Sequence, residues 1–225
     1  MTQAPSGPKN VIWIFGDQHR SQALGLHGDP NLSTPNIDNL ARAGVDFPNA
    51  LMGYPLCCPA RGSLLTSRYP HECVPGHEHR LPDSCPTIAH AFKEHHHETA
   101  WFGKWHLDGF KEAAGRAAFH LVPRERRGGF DTWIGYENNN SQYDCWVHGH
   151  DGADREIERH RLPGFETDSL TELLIEFLKN KRQAQAGTRP FFAALSVQPP
   201  HNPYIAPEKF AARHRPCLLY TSRCV

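Results

Sequence analysis

The sequence predicts an α/β fold in which a central, mostly parallel sheet is flanked by helices. Three observations carry this reading. Strand-like runs at residues 11–15, 99–102 and 191–197 are mostly apolar and end at a glycine or a polar, proline-rich turn, as in strands buried on both faces of a parallel sheet. Segments with helical spacing lie between the runs. Polar residues suited to catalysis follow directly after the runs, at the end of the sheet where α/β proteins bind ligands.

The first run, Val11-Ile12-Trp13-Ile14-Phe15, stops at Gly16 and is followed by Asp17 and Gln18, where a metal ligand would be useful. Thr34 is placed as an N-cap and Pro35 in a first turn; Ile37, Leu40 and Ala41 keep helical spacing, and Gly44 closes the helix. A short strand over residues 45–47 leads toward Cys57. Pro59 has a fixed φ and needs no amide partner, so it suits the first turn of a helix running to about Ser67, with the residues before it at the cap.

Residues 86–96 predict a helix with Ile88, Ala89 and Phe92 on one face. The strand at 99–102 ends at Gly103, with Lys104-Trp105-His106 directly behind it. Residues 109–129 are irregular, and the cluster Arg124, Arg126 and Arg127 reads as a solvated face. Residues 135–150, with Asn138-Asn139-Asn140, Tyr143, Trp146 and His148, read as an insertion loop. Thr167 is expected to cap a helix in which Leu170, Leu173, Leu174, Phe177 and Leu178 form one stripe. A polar link over 179–189 precedes the strand at 191–197, which Gln198-Pro199-Pro200-His201-Asn202-Pro203-Tyr204 ends.

With 24 basic and 24 acidic residues among 225, the chain has no electrostatic bias toward nucleic acid or a membrane surface. No apolar run is long enough to span a bilayer, and residues 1–10 contain no apolar leader, so a cytoplasmic location is expected and residues 1–9 are expected to be disordered. Seven cysteines without a C-x-x-C pair argue against a disulfide scaffold and against a structural zinc site. Among sixteen histidines, His95-His96-His97, His77-x-His79 and His148-x-His150 read as solvated loop positions, because an isolated H-x-H lacks further ligands. Residues 217–225, Cys217 to Val225, read as a translated sequencing adapter joined to its inverted copy, and are expected to lie outside the fold.

The stretch Cys57-Cys58-Pro59-Ala60-Arg61 organises the chemistry. A nucleophile just before a helix faces the positive end of its dipole, which favours a sulfate or phosphate ester. The permanently charged Arg61 can neutralise an oxyanion beside it. A hard cation held by carboxylate and carbonyl oxygens suits Asp17 and Gln18. The plainer alternative is a half-buried cysteine in a helix cap, with Asp17 capping a turn, Lys104 and His106 as surface residues at a strand end, and His201 stiffening a proline-rich turn.

These words together resemble the type I sulfatases. Cys57 to Arg61 matches the C-x-P-x-R maturation motif, residues 34–41 match the family's usual helix, residues 99–107 match the signature that delivers G-K-W-H, and Pro199 to Tyr204 matches P-P-H-x-P-Y. One departure is His96-His97, where the family usually has Gly-Tyr. The resemblance implies an alkaline phosphatase-like sandwich truncated at the C-terminus, with residues 10–216 forming the N-terminal part of the catalytic domain. It implies that a formylglycine-generating enzyme oxidises Cys57 to formylglycine, whose hydrate is the nucleophile. Calcium, with magnesium or manganese as alternatives, would be held by Asp17, Gln18 and the modified Cys57. Lys104 would hold the sulfate and the nucleophile's oxygen, and His106 would orient the hydrate or act as base in resolving the sulfo-enzyme. His201 would be the acid or electrostatic partner of the leaving group. The substrate would be a small-molecule or saccharide sulfate ester.

At the position of Gln18 the family commonly has a second Asp. Glutamine there occurs in relatives that include phosphonate monoester hydrolases and phosphodiesterases, so those activities stay open, as does a non-catalytic binding relative. The resemblance also places the remaining metal ligands and a further lysine beyond residue 216, so the 225-residue chain alone is expected to be inactive and poorly stable.

Overall fold

The computed structural model describes residues 7–183 and 189–214; the expected adapter segment at 217–225 and residues 1–6 of the expected disordered N-terminus lie outside them. The strands are β1 (Val11–Gly16), β2 (Glu98–Lys104), β3 (Thr132–Tyr136), β4 (Trp146–His150), β5 (Glu156–Arg161) and β6 (Phe191–Val197). They form one mixed sheet in the order β1-β6-β2-β3-β4-β5. The first four pair in parallel, and β4 and β5 extend the sheet antiparallel. The helices are α1 (Pro35–Ala43), α2 (Cys57–Thr66), α3 (Pro70–Cys73), α4 (Ile88–Glu94), α5 (Glu166–Gln183) and α6 (Glu208–Ala211).

Alternation along β2 and β6 splits the core into two layers. Trp101, Phe192 and Ala194 face one side, where they meet Leu65 of α2, Ala89 of α4, and the indoles of Trp105 and Trp133. Phe102, Ala193 and Leu195 face the other, against Leu170 and Leu174 of α5. Sheet and helices are therefore held by one stack of aromatic and aliphatic contacts on each face. The parallel strands that carry the site lie between the two layers.

Several expectations are corrected. Residues 45–47 are not a strand; Val45 and Phe47 are exposed and no strand pairs with them, so Cys57 is reached through irregular chain. The first strand is not buried on both faces: β1 is an edge strand among the described residues. Trp13 and Phe15 pack inward while Ile14 is 62% exposed. Thr34 is the N-cap of α1 with Pro35 in its first turn, as expected, but its hydroxyl accepts from the Gly25 amide and donates to Asp38 and makes no cap hydrogen bond. Helix α5 begins at Glu166, so Thr167 lies inside it, and it runs through Gln183 into the expected link.

Residues 135–150 are not an insertion loop, because β3 and β4 occupy much of them and β5 follows. Their polar side chains hid the strand pattern. His148 and His150 are not solvated: both are 2% exposed. The Val122 amide donates to Nε2 of His148, and burial pulls that ring's pKa down to about 4, keeping it neutral. His150 is anchored to the Phe130 carbonyl and to Arg127. Arg127, read as part of a solvated face, is 5% exposed; its Nε donates to the Val122 carbonyl and it pairs with Glu156.

Gly103 holds the sheet's central crossing open. It has φ +104, and a Cβ there would lie 2.1 Å from the Ser196 carbonyl on β6. Gly103→Ala combines left-handed backbone strain with a backbone overlap, each costing about 1–3 kcal/mol. A loss of roughly 3 kcal/mol or more in urea unfolding is expected; a loss under about 1 kcal/mol would contradict this packing.

Candidate active site

Three strand ends and one helix start meet at the site. The chain leaves β1 at Gly16, and Asp17 is fixed when its amide donates to the Val197 carbonyl of β6 at 3.1 Å. Gln18 follows at φ +62, and its exposed side chain makes no hydrogen bond among the described residues. Lys104 is the last residue of β2 and is fully buried. Helix α2 starts two residues earlier than a cap directly before Pro59 implies: Leu56 is the N-cap, Cys57 the first helical residue and Pro59 the third. The position still places Cys57 in the first turn, at the positive end of the helix.

The geometry centres on Asp17. Lys104 Nζ lies 2.6 Å from Asp17 Oδ2, and Arg61 Nη2 lies 3.4 Å from the same oxygen. The Cys57 thiol faces both carboxylate oxygens at 3.5 Å, and Lys104 Nζ is 4.0 Å from Cys57 Sγ. Burial pushes the Asp17 pKa up, but Arg61 and Lys104 outweigh it and hold the carboxyl well below the usual carboxylate range. Burial, with the Asp17 charge, pushes the Cys57 thiol up against the pull of Lys104. As an unmodified thiol, Cys57 is therefore protonated and a poor nucleophile at neutral pH.

His201 joins this group: one ligand-type atom each from Asp17, Cys57 and His201 lies within 4.8 Å of the others. Its Nδ1 contacts the Asn202 carbonyl at 2.7 Å. These residues open onto a cavity of about 480 Å³ that Gln18, Met52 and Leu64 also line. His106 is buried and neither of its ring nitrogens forms a hydrogen bond. Burial and the nearby Lys104 and Arg61 charges pull its pKa well below the ordinary value, so it is neutral.

Sequence reasoning missed the residues that hold these side chains. Ser196 of β6 accepts from Arg61 Nη1 at 2.8 Å and donates to the Lys104 carbonyl at 2.9 Å, while the same Nη1 also reaches that carbonyl. Its only signal is one hydroxyl interrupting an apolar run at the site end of a strand. Gln198, fully buried, accepts from the Asn139 and Asn140 amides and donates to Asn138. Gln142 donates to the His201 carbonyl, so the residue 138–142 segment braces the turn that carries His201.

The sulfatase family model matches residues 9–217. The chain belongs to the sulfatase family. Among curated proteins, this sulfatase chain is 35% identical over 216 residues to the ulvan-active sulfatase of Formosa agariphila, a match that spans 94% of the chain and 39% of that protein. It is 30% identical to the endo-4-O-sulfatase of Bacteroides thetaiotaomicron, over 87% of the chain and 43% of that protein. A solved structure in complex with its substrate D-glucosamine-2-N,6-O-disulfate matches with a TM-score of 0.71 at 25% identity, over 89% of the chain and 36% of that structure. The chain thus spans well under half the length of these relatives. Its mixed sheet flanked by helices is the alkaline phosphatase-like architecture of its sulfatase neighbours. No helix among the described residues is long and apolar enough to cross a membrane.

Proposed function

We propose that the protein carrying this chain hydrolyses saccharide sulfate esters with a nucleophile made from Cys57. The observation that supports this most is the convergence of Asp17, Lys104 and Arg61 on Cys57 at the first turn of α2. A thiol held protonated by burial needs conversion to act, and a formylglycine there would supply a hydrated aldehyde oxygen as nucleophile once a generating enzyme had oxidised Cys57. Lys104 and Arg61 are placed to neutralise non-bridging sulfate oxygens in a water-poor pocket, where such charges count most. Ser196 and the Lys104 carbonyl fix the Arg61 guanidinium, so little reorganisation is needed when charge develops. His201, half-buried at the cavity wall, can deliver a proton to the leaving oxygen. The neutral His106 ring fits a base or an orienting group, not an acid.

A hard cation fits part of this donor set. The ionised Asp17 carboxylate, the Gln18 amide oxygen and an oxygen at position 57 are the ligand types that calcium, or magnesium, takes. A cation there would add positive charge beside the ester and help to orient it. Names of relatives such as the ulvan-active and endo-4-O-sulfatases support a sulfated saccharide as substrate class.

Gln18 favours a second reading, a phosphonate monoester or phosphodiester hydrolase with the same nucleophile. The test is to co-express the protein with a formylglycine-generating enzyme and determine the mass of the Cys57 peptide. Turnover of a sulfated disaccharide is then compared with that of a phenyl phosphonate. An aldehyde at position 57 and preference for the sulfate are expected. An intact thiol sinks the nucleophile assignment, and preference for the phosphonate sinks the substrate class.

A further inference from the structure

We propose that Cys58, His77 and His106 form a second metal site, suited to a borderline-soft divalent ion such as Zn²⁺ and distinct from the oxygen-donor position at Asp17 and Gln18. Three elements bring these residues together. Cys58 is the second residue of α2, His106 lies two residues beyond β2, and His77 stands in the loop after α3. Cys58 Sγ and a ring nitrogen from each histidine all lie within 4.8 Å of one another. The Cys58 Sγ to His77 Nδ1 distance is 3.8 Å, and the two imidazoles meet edge to face with centroids 5.3 Å apart.

Zinc bonds of about 2.3 Å to sulfur and 2.0–2.1 Å to nitrogen separate S and N ligands by about 3.6 Å in a tetrahedral centre. The Cys58–His77 pair is already near that spacing, and the third ligand needs to close by no more than about 1.5 Å. An independent observation points the same way. The ring of His106 is 2% exposed, yet neither of its nitrogens has a hydrogen-bond partner. A buried polar group left unmatched costs about 1–3 kcal/mol, and a metal bond would satisfy one of these nitrogens.

Donor chemistry selects the ion. One thiolate and two neutral imidazoles suit zinc and disfavour calcium or magnesium, which take oxygen. His77 is exposed, which gives an entry path, and three protein ligands leave a fourth position for water. Burial holds the Cys58 thiol up at about 12, so the ion must displace that proton on binding. The site shares His106 with the proposed catalytic set, so a bound ion would compete with that role. The binding itself does not depend on the hydrolase reading.

The test is titration of the metal-stripped, reduced protein carrying this chain with Co²⁺ alone, followed by thiolate-to-cobalt charge-transfer absorption, with Zn²⁺ added afterwards to displace it. One ion per chain is expected, with the absorption kept in Cys57→Ser and lost in Cys58→Ser. His77→Ala changes an exposed side chain and leaves the core intact; it is expected to weaken binding by roughly tenfold or more. No thiolate absorption in the unsubstituted chain overturns the proposal. So does absorption that survives Cys58→Ser, vanishes in Cys57→Ser, or binds equally well in His77→Ala.

Discussion

Cys57→Ala, in the protein carrying this chain and matured with a generating enzyme, is expected to lower sulfate-ester kcat by at least roughly 10⁴-fold, the scale of losing a covalent nucleophile. KM should move little, because Lys104, Arg61 and the cavity walls remain. The expectation rests on position as much as on motif: Cys57 Sγ is the atom that Asp17 faces at 3.5 Å and Lys104 at 4.0 Å, at the positive end of α2. Steady-state kinetics on a chromogenic aryl sulfate measures it. Retention of more than about a hundredth of the activity would mean that another group attacks the ester.

Arg61→Ala should be the most damaging single change to stability at the site. Arg61 is 3% exposed, and its guanidinium serves Asp17, the Lys104 carbonyl and the Ser196 hydroxyl at once, with its face over the Phe15 ring at 5.5 Å. Truncation leaves a carboxylate with one cation fewer and two buried polar atoms with fewer partners. Breaking a buried pair in this way costs about 3–5 kcal/mol, a large part of a domain's total of about 5–15 kcal/mol. Chemical denaturation of the variant reads the loss. Arg61→Lys should recover only a fraction, since one ammonium cannot span three acceptors. A cost below about 1 kcal/mol for Arg61→Ala would mean that water replaces the guanidinium and that the cluster is looser than its distances imply.

The candidate site was legible where its residues stand in short contiguous words. Cys57 to Arg61, Gly103 to His106 and Pro199 to Tyr204 each keep their residues adjacent, so one strand end or helix start delivers them together. The supporting residues were not legible, because Ser196, Gln198 and Gln142 act through partners far away in sequence, and each looks like an ordinary polar residue in its own segment. The parallel strands β2 and β6 announced themselves by apolar runs. The antiparallel β3–β5 ribbon did not, since His148, His150 and Arg127 bury polar groups against one another and against backbone carbonyls. Residues 45–47 failed in the opposite sense: Val45 and Phe47 look like a strand, but a strand needs a neighbour to pair with.

The pairing of β1 with β6 also sets a clock on biogenesis. Val11 aligns with Phe192, so β1 waits for β6, made about 180 residues later, before the ladder between them can form. At about 5–20 residues per second, that interval is on the order of 10–40 s. Throughout it Trp13 lacks the Phe192 ring it packs against, and Asp17 lacks the Val197 carbonyl that fixes it. The nascent chain therefore carries β1 unpaired through that interval, and the cavity beside Asp17 closes only once β6 is made.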